Sequence, residues 1–416
     1  MAKHKKGSGK MKILYFSQFY KPEYIAAAFR AEENARAWAQ LGHEVTVFTG
    51  YPNYPKGELF EGYEAKSISV EELDGVKVVR SKIAPSPNRT MGGRLKSALT
   101  FFFWGLFNIT FRGKKIGKGY DVVLGTSGII FTALLGWLYA FFRRIPYVFE
   151  LRDISWLQLQ IAGKTEKSFS VRVMRFLEKF LCRRAKAVVV VTQGFRDVLA
   201  ENGIDPEKIT VITNGVDVTP RPRQEEPGFT LSYFGTLGVS QNILATLPYA
   251  QALSRATEGF TYLLIGDGAQ AAEIAQGVAE HPYIKLLPGM PSQQLEPYYD
   301  HTQLSLVALK KDPAFCHTLP SKLFQIMGRG IAVLYIGPEG EAARLVRQYQ
   351  CGIALTGTAE EDLAQLSGIV SQPGFMNELV QMGSRGAEAV QKHFNRTQLA
   401  RQYAALLEQA GRHGKA

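Results

Sequence analysis

Only three cysteines occur in 416 residues (Cys182, Cys316 and Cys351), and none forms a Cys-x-x-Cys pair or lies at zinc-ligand spacing from a histidine. That excludes a disulfide framework or a zinc module and reads as a reduced, cytosolic chain with buried, inert thiols. No Asp-x-Asp occurs either, which disfavours a metal-clamped diphosphate, so no metal and no resident cofactor are expected. The chain also lacks a GxxxxGK[ST] phosphate loop, GxSxG, HExxH, and a GxGxxG with its acidic partner. Support for simple ATP hydrolysis, serine hydrolysis, zinc proteolysis and dinucleotide redox chemistry is thereby missing. Long uncharged runs are scarce. One of them, Val122 to Phe142, passes a bare length test for a membrane span, but Val122–Ser127 suits a strand. What remains, about 15 residues, is short for crossing a bilayer. Ile13 to Tyr20 is interrupted by Gln18 and followed by Lys21, Pro22 and Glu23, so no secretion signal is expected.

Acid is scarce in the first half. Residues 1–200 carry 32 Lys and Arg against 16 Asp and Glu, whereas residues 201–416 carry 17 against 21. With a net charge of +12, the excess sits in one half and calls for an anionic partner there. Nucleic acid is excluded as that partner: no helix-turn-helix, zinc finger or RNP-type signature is present, and the aromatics lie in apolar runs.

Apolar residues make up 46% of the chain, a globular composition, and the length suits two domains. Short apolar runs alternate with helix-length segments throughout. Runs such as VVVV and YLLIG are apolar at every position, which suits parallel strands buried on both faces. Strands are expected at 12–17, 44–49, 76–80, 121–126, 146–151, 187–192 and 209–212, then at 229–234, 261–266, 284–287, 303–307, 331–336 and 352–355. The fold class is α/β, with two Rossmann-like, doubly wound parallel-sheet domains facing across a cleft. The expected organisation is a basic flexible leader (1–10), an N-terminal domain (11–217), a Pro-rich linker (218–228) and a C-terminal domain (229–392). A final helical segment (393–416) is expected to cross back toward the N-terminal domain.

Two N-terminal segments suit a lipid interface. Ser97–Phe111 is uncharged and aromatic, with Arg112, Lys114 and Lys115 after it; the second run ends at Arg143 and Arg144. Phe101, Phe102, Phe103 and Trp104 together cover every direction around a helix, more than one core-facing stripe needs. Basic residues bracketing such a segment fit an anionic membrane surface.

Four loops after strands carry chemistry. In FGTLG, Gly235, Thr236 and Gly238 would present N–H groups and a hydroxyl at a helix start, suited to phosphate. LIGDG offers a tight turn at Asp267 and Gly268. In LPSKLFQ, Pro320 sets the helix entry and places Ser321 and Lys322 beside its positive end, as a diphosphate requires. In GPEGEAARLV, Gly340, Glu341 and Ala342 open a helix, where Glu341 serves either as a cap or as a ligand for sugar hydroxyls.

Taken in order, KPEYIAAAFRAEENARAWAQLGHEVTVFTGYPNYPKG, EELDGVKVVR, VFELRD, TNGVD, FGTLG, LIGDG, LPSKLF and GEAARLV resemble family 4 of the retaining GT-B glycosyltransferases over nearly the whole chain. The likeness is to the subgroup that builds bacterial O-antigen and capsule, including fucosamine and other aminosugar transferases. It implies transfer of a sugar, of N-acetylated aminosugar type, from a UDP-sugar donor to a polyprenyl-diphosphate-linked glycan acceptor, at the inner face of the cell membrane. It implies Lys322, Asp153 and Glu341 as catalytic. Gly235, Thr236, Gly238, Pro288, Gly289, Ser321, Gln325, Gly340, Glu341 and Ala342 would surround the donor, and Arg30, Arg152 and Asp153 would line the N-terminal side. The chain departs from the pattern at His317 and Gln325, where many relatives carry Glu-x7-Glu, and at Ala26–Ala28, where they carry Gly-Gly. A UDP-sugar 2-epimerase on the same fold, or a non-catalytic assembly partner, are the competing expectations.

Overall fold

The computed structural model describes residues 9–23, 25–54, 56–86, 91–218, 220 and 228–412, so most of the expected leader and linker lie outside the described residues. Two compact units divide the chain: Met1–Thr213 with Thr397–Ala416, and Asn214–Arg396.

The first unit is an eight-stranded sheet. Its strands are β1 (Lys12–Phe16), β2 (Glu44–Gly50), β3 (Ile68–Leu73), β4 (Val76–Ser81), β5 (Val122–Thr126), β6 (Tyr147–Leu151), β7 (Ala187–Val190) and β8 (Ile209–Val211). The order is β3-β4-β2-β1-β5-β6-β7-β8, parallel except for the β3–β4 pair. Seven helices punctuate it: α1 (Ala26–Gln40), α2 (Met91–Phe111), α3 (Gly113–Ile116), α4 (Ile130–Arg143), α5 (Ser155–Ile161), α6 (Phe169–Arg184) and α7 (Gln193–Glu201). Side chains alternate across a strand, so Leu14 and Phe16 enter the core beneath α4 while Ile13 and Tyr15 enter the one beneath α1. Both faces are covered, which is why every position must be apolar; each buried Ile, Leu or Phe contributes about 1.5–3 kcal/mol. The uncharged run 122–142 is divided between β5 and α4.

β3 departs from expectation. Its sequence, ISVEEL, alternates buried and open positions, and it pairs antiparallel with β4 at the sheet edge. Asp74 and Gly75, with φ of 53° and 75°, make the two-residue turn between them. The Asp-Gly signal was in the sequence, but an edge strand facing solvent lacks the apolar run that marks its neighbours.

The second unit has six parallel strands: β9 (Phe229–Phe234), β10 (Phe260–Ile265), β11 (Ile284–Leu287), β12 (Leu304–Ala308), β13 (Ala332–Ile336) and β14 (Gly352–Leu355), in the order β11-β10-β9-β12-β13-β14. Its helices are α8 (Leu247–Ala256), α9 (Ala271–Val278), α10 (Ser292–Asp300), α11 (Ser321–Gly328), α12 (Glu341–Gln348), α13 (Ala359–Val370) and α14 (Phe375–His393). Leu231, Tyr233 and Leu264 face one core; Phe234, Leu263 and Ile265 face the other, with α11 and α12.

The last helix, α15 (Arg396–Arg412), belongs to the first unit. Trp38 Nε1 donates to the Ala400 carbonyl at 3.1 Å, and the Trp38 and Tyr403 rings meet edge-to-face at 5.2 Å. His43 is structural: its Nδ1 accepts from Met11 N–H at 3.3 Å, and burial pushes its pKa down against the pull of Glu408.

Candidate functional site

In the second unit the turns after β9 and β10 interlock through their backbones. Gly235 N–H donates to Ile265 O (2.8 Å), Leu237 N–H to Asp267 O (2.8 Å), and Gln270 N–H to Leu237 O (3.0 Å). A methyl group at Gly266 would overlap the Gly235 carbonyl, and one at Gly268 the Leu237 carbonyl. FGTLG and LIGDG are therefore two halves of one construction.

Lys322 closes over it. Its ammonium sits 3.9 Å from the centre of the Tyr233 ring, and a methyl group at Gly235 would overlap its Nζ. Tyr233 is itself fixed, its hydroxyl donating to Thr236 O at 2.6 Å. Lys322 has no ion-pair partner among the described residues, and burial alone pulls its pKa down to about 7. The residue is still partly open to solvent. A desolvated ammonium backed by a π face and lacking a carboxylate is a site for an anion from outside the protein. It sits in the first turn of α11, whose N-cap, Pro320, supplies no side-chain cap, so the helix end adds partial positive charge.

Gly235 has φ of 147°, a conformation that disfavours a side chain. Gly235→Ala is expected to displace the Lys322 ammonium and weaken nucleotide binding at least about tenfold, with backbone strain of ~1–3 kcal/mol. Calorimetric titration with UDP reads it; wild-type affinity would show that the ammonium has room to move.

The other residues marked from sequence divide. Thr236 and Ser321 are exposed, and Gly238 and Gln325 are partly exposed. Pro288 and Gly289 are exposed, but the Gly289 N–H is committed to Asp267 Oδ2 at 3.0 Å, which leaves carbonyl oxygens for a ligand. Glu341 is no cap: the N-cap is Gly340, the Glu341 N–H donates to Cys316 O at 2.8 Å, and its carboxylate lies 3.5 Å from Arg344. Gly340 and Ala342 require correction as donor contacts. Both are buried: Ala342 packs into the core, and Gly340 lets the helix start press onto the Cys316 carbonyl.

In the first unit Arg30 also requires correction. Its Nε donates to Glu150 Oε1 at 2.9 Å, its Nη2 to Ile212 O at 3.3 Å, and Tyr15 donates to the other Glu150 oxygen at 3.1 Å. Glu150 is fully buried; burial pushes its carboxyl up, but Arg30, Arg152 and these hydrogen bonds hold it below the usual carboxylate range. Arg30 is thus a framework cation, invisible as such because its partner lies 120 residues away. Arg152 is partly buried, its Nη1 donating to Ala27 O at 3.3 Å; Asp153, next in the turn after β6, is exposed.

Three residues were missed. Tyr233 reads as an ordinary core strand residue. Glu178 reads as the polar face of α6, yet it is buried, its pKa pushed up to about 7, and it accepts the Ser155 N–H at 3.0 and 3.2 Å. It thereby anchors the start of α5, directly after Asp153. His317, seen only as a departure from a pattern, has a buried Nδ1 with no hydrogen-bond partner among the described residues.

Of the aromatic segment, Phe101 is corrected: it is fully buried, 6.0 Å from Phe48. Phe102 and Trp104 are half-buried, against Phe131 and Lys82 respectively. Phe103, with Phe107 and Phe111 at one-turn spacing, is exposed, as are Phe141 and Phe142. Among the described residues no helix is long and apolar enough to cross a membrane.

Two parallel-sheet Rossmann-like units with a phosphate-suited helix start in the second define the GT-B fold, and residues 26–215 match the model of the glycosyl transferase 4-like domain. The architecture is that of the GT-B fold. The curated proteins include "Probable glycosyltransferase WbjE" of Pseudomonas aeruginosa, 24% identical over 277 residues, spanning 60% of this chain and 68% of that protein. Among solved structures, sucrose-phosphate synthase of Thermosynechococcus elongatus superposes with a TM-score of 0.71 at 15% identity, covering 96% of this chain and 99% of that one. Anabaena Alr3699/HepE in complex with UDP-glucose gives 0.63 at 17%, over 96% and 100%. WaaG, a glycosyltransferase involved in lipopolysaccharide biosynthesis, gives 0.65 at 13%, over 95% and 99%.

Proposed function

We propose that this chain is a retaining, metal-independent glycosyltransferase that moves a sugar, of N-acetylated aminosugar type, from a UDP-sugar to a polyprenyl-diphosphate-linked acceptor in surface polysaccharide synthesis. The observation that carries the reading is the unpaired Lys322 ammonium over Tyr233 and Gly235 at the start of α11. Such a cation neutralises the charge that develops on a departing diphosphate, which is where electrostatic catalysis acts most strongly. A donor phosphate oxygen then serves as base toward the acceptor hydroxyl. The Glu341 carboxylate and the unpartnered His317 nitrogen suit sugar hydroxyls, and Gln325 a ribose hydroxyl. Asp153 would serve the acceptor side.

The complexes of Alr3699/HepE with UDP and UDP-glucose support a uridine donor. Peripheral attachment to the inner face of the membrane is part of the proposal, through Phe103, Phe107 and Phe111 with Arg112, Lys114 and Lys115, and through Phe141 and Phe142 with Arg143 and Arg144. A thermal-shift panel of UDP, GDP, ADP and their sugars tests the donor. At a hundred times its Kd a true ligand adds about 2.7 kcal/mol. Selective stabilisation by UDP and one UDP-sugar is expected; equal response to all three nucleotides, or none, overturns the donor assignment.

A further inference from the structure

A hollow of about 1120 Å³ opens at the amino ends of β6, β7 and β8, reaching Tyr147, Ala187 and Thr210 where those strands begin. Asp153 follows the carboxyl end of β6, so the hollow lies at the opposite edge of the sheet from the residue proposed for the acceptor side. No step of the proposed reaction uses it.

Its walls are of two kinds. Trp137, Phe141 and Phe142 make one, and both phenylalanines are exposed, at 60% and 72%. Arg144, Arg183, Arg184, Lys186 and Lys208 make the other. The acids present are Asp205 and Glu207, and neither is ion-paired to those cations among the described residues. Asp205 spends one carboxylate oxygen on the Glu207 N–H at 3.0 Å. Five cations against two acids, beside an exposed aromatic wall, demand an anion with an apolar body.

Arg144 supplies an independent sign. It ends α4 in the left-handed region, φ 54° and ψ 42°, where glycine is the usual residue. A β-carbon there costs roughly 1–2 kcal/mol. The Arg144 guanidinium makes no hydrogen bond or ion pair among the described residues, whereas it stands in the wall of this hollow and of a neighbouring one of about 290 Å³ that also holds Lys118 and Arg143. The volume exceeds the usual range for small ligands, about 300–1,000 Å³, and favours a larger amphiphile.

We propose that this hollow binds an anionic phospholipid of the membrane, its phosphate among Arg144, Arg183, Lys186 and Lys208, and its acyl chains along Trp137, Phe141 and Phe142. The site fixes which edge of the first unit meets the bilayer; it rests on the proposed membrane-peripheral reading and gives it a headgroup-specific contact. Arg184 stacks 5.6 Å from Phe180 and extends the basic rim.

The test uses the full chain with vesicles of phosphatidylcholine alone or with one third phosphatidylglycerol, read by sedimentation. The triple variant Arg183→Ser, Lys186→Ser, Lys208→Ser is expected to lose about thirtyfold or more in affinity for the anionic vesicles, since each basic residue near such a surface contributes substantially. Unchanged binding overturns the proposal. Short-chain phosphatidylglycerol should give a saturable change in Trp137 fluorescence, absent in Trp137→Phe and weakened in the triple variant. The same response to inorganic phosphate alone would make the site a free-anion site and overturn the lipid assignment. The UDP thermal shift is read in parallel: kept in the triple variant, it separates failure of this proposal from failure of the transferase reading.

Discussion

Lys322→Ala is expected to lower kcat/KM by a hundredfold or more, the size of loss that follows removal of one preorganised group from a developing oxyanion. The fold should survive. Burial holds the Lys322 pKa near 7, so between about 7 and 10.5 the unfolded chain binds the proton that the native chain releases. This residue's contribution to stability therefore rises with pH across that window, and at pH 6 the native state carries a charge that burial disfavours. The alanine variant should be at least as stable as wild type there. Nucleotide binding has the opposite dependence: the diphosphate needs the ammonium, so wild-type UDP affinity should fall by about tenfold per pH unit above 7, until the pKa of the complex is reached. Binding at pH 8 should take up a proton, seen as a binding enthalpy that changes with the ionisation heat of the buffer. A variant that turns over normally, or a wild-type affinity flat from pH 6.5 to 8.5, would remove Lys322 from the donor site.

Arg30→Ala is expected to destabilise the first unit by ~3–5 kcal/mol, because it leaves the fully buried Glu150 carboxylate without its cation. For a unit of this size the melting temperature should drop on the order of 10 °C. The sign with pH follows from Glu150, whose folded pKa is depressed. The stabilisation is present above the ordinary glutamate range and is lost as pH falls through the lowered value, so the gap between wild type and variant should narrow in acid. Differential scanning calorimetry at pH 7 and pH 4 measures both. An unchanged melting temperature with abolished turnover would return Arg30 to the ligand-facing role that the sequence pattern implied.

These two residues differ in how much of their setting local sequence carries. Lys322 was legible because its signal is local: proline, hydroxyl and lysine at the start of a helix after a buried strand. Arg30 was equally legible as a motif residue, but its role depends on Glu150, brought within its reach only by the packing of α1 against the sheet. The same divide runs through the aromatic segment. Composition showed an excess of rings over what one core stripe needs, yet helix phase buried Phe101 and left Phe103, Phe107 and Phe111 outside.

By itself, then, the sequence determined the two doubly wound units, their strands other than β3 to within a residue or two, and the loops that hold the candidate site. Burial on both faces of a parallel sheet writes itself as unbroken apolar runs, and helix starts are written in neighbouring residues. The tertiary structure alone decided that the FGTLG and LIGDG turns lock into one cradle, that Tyr233 backs the ammonium, and that Glu178 anchors the start of α5. It alone decided, too, that cations at the ends of α4 and α6 and just before β7 and β8 converge on one hollow. Each of these depends on groups distant in the chain meeting at van der Waals or hydrogen-bond range, a relation that local spacing does not encode.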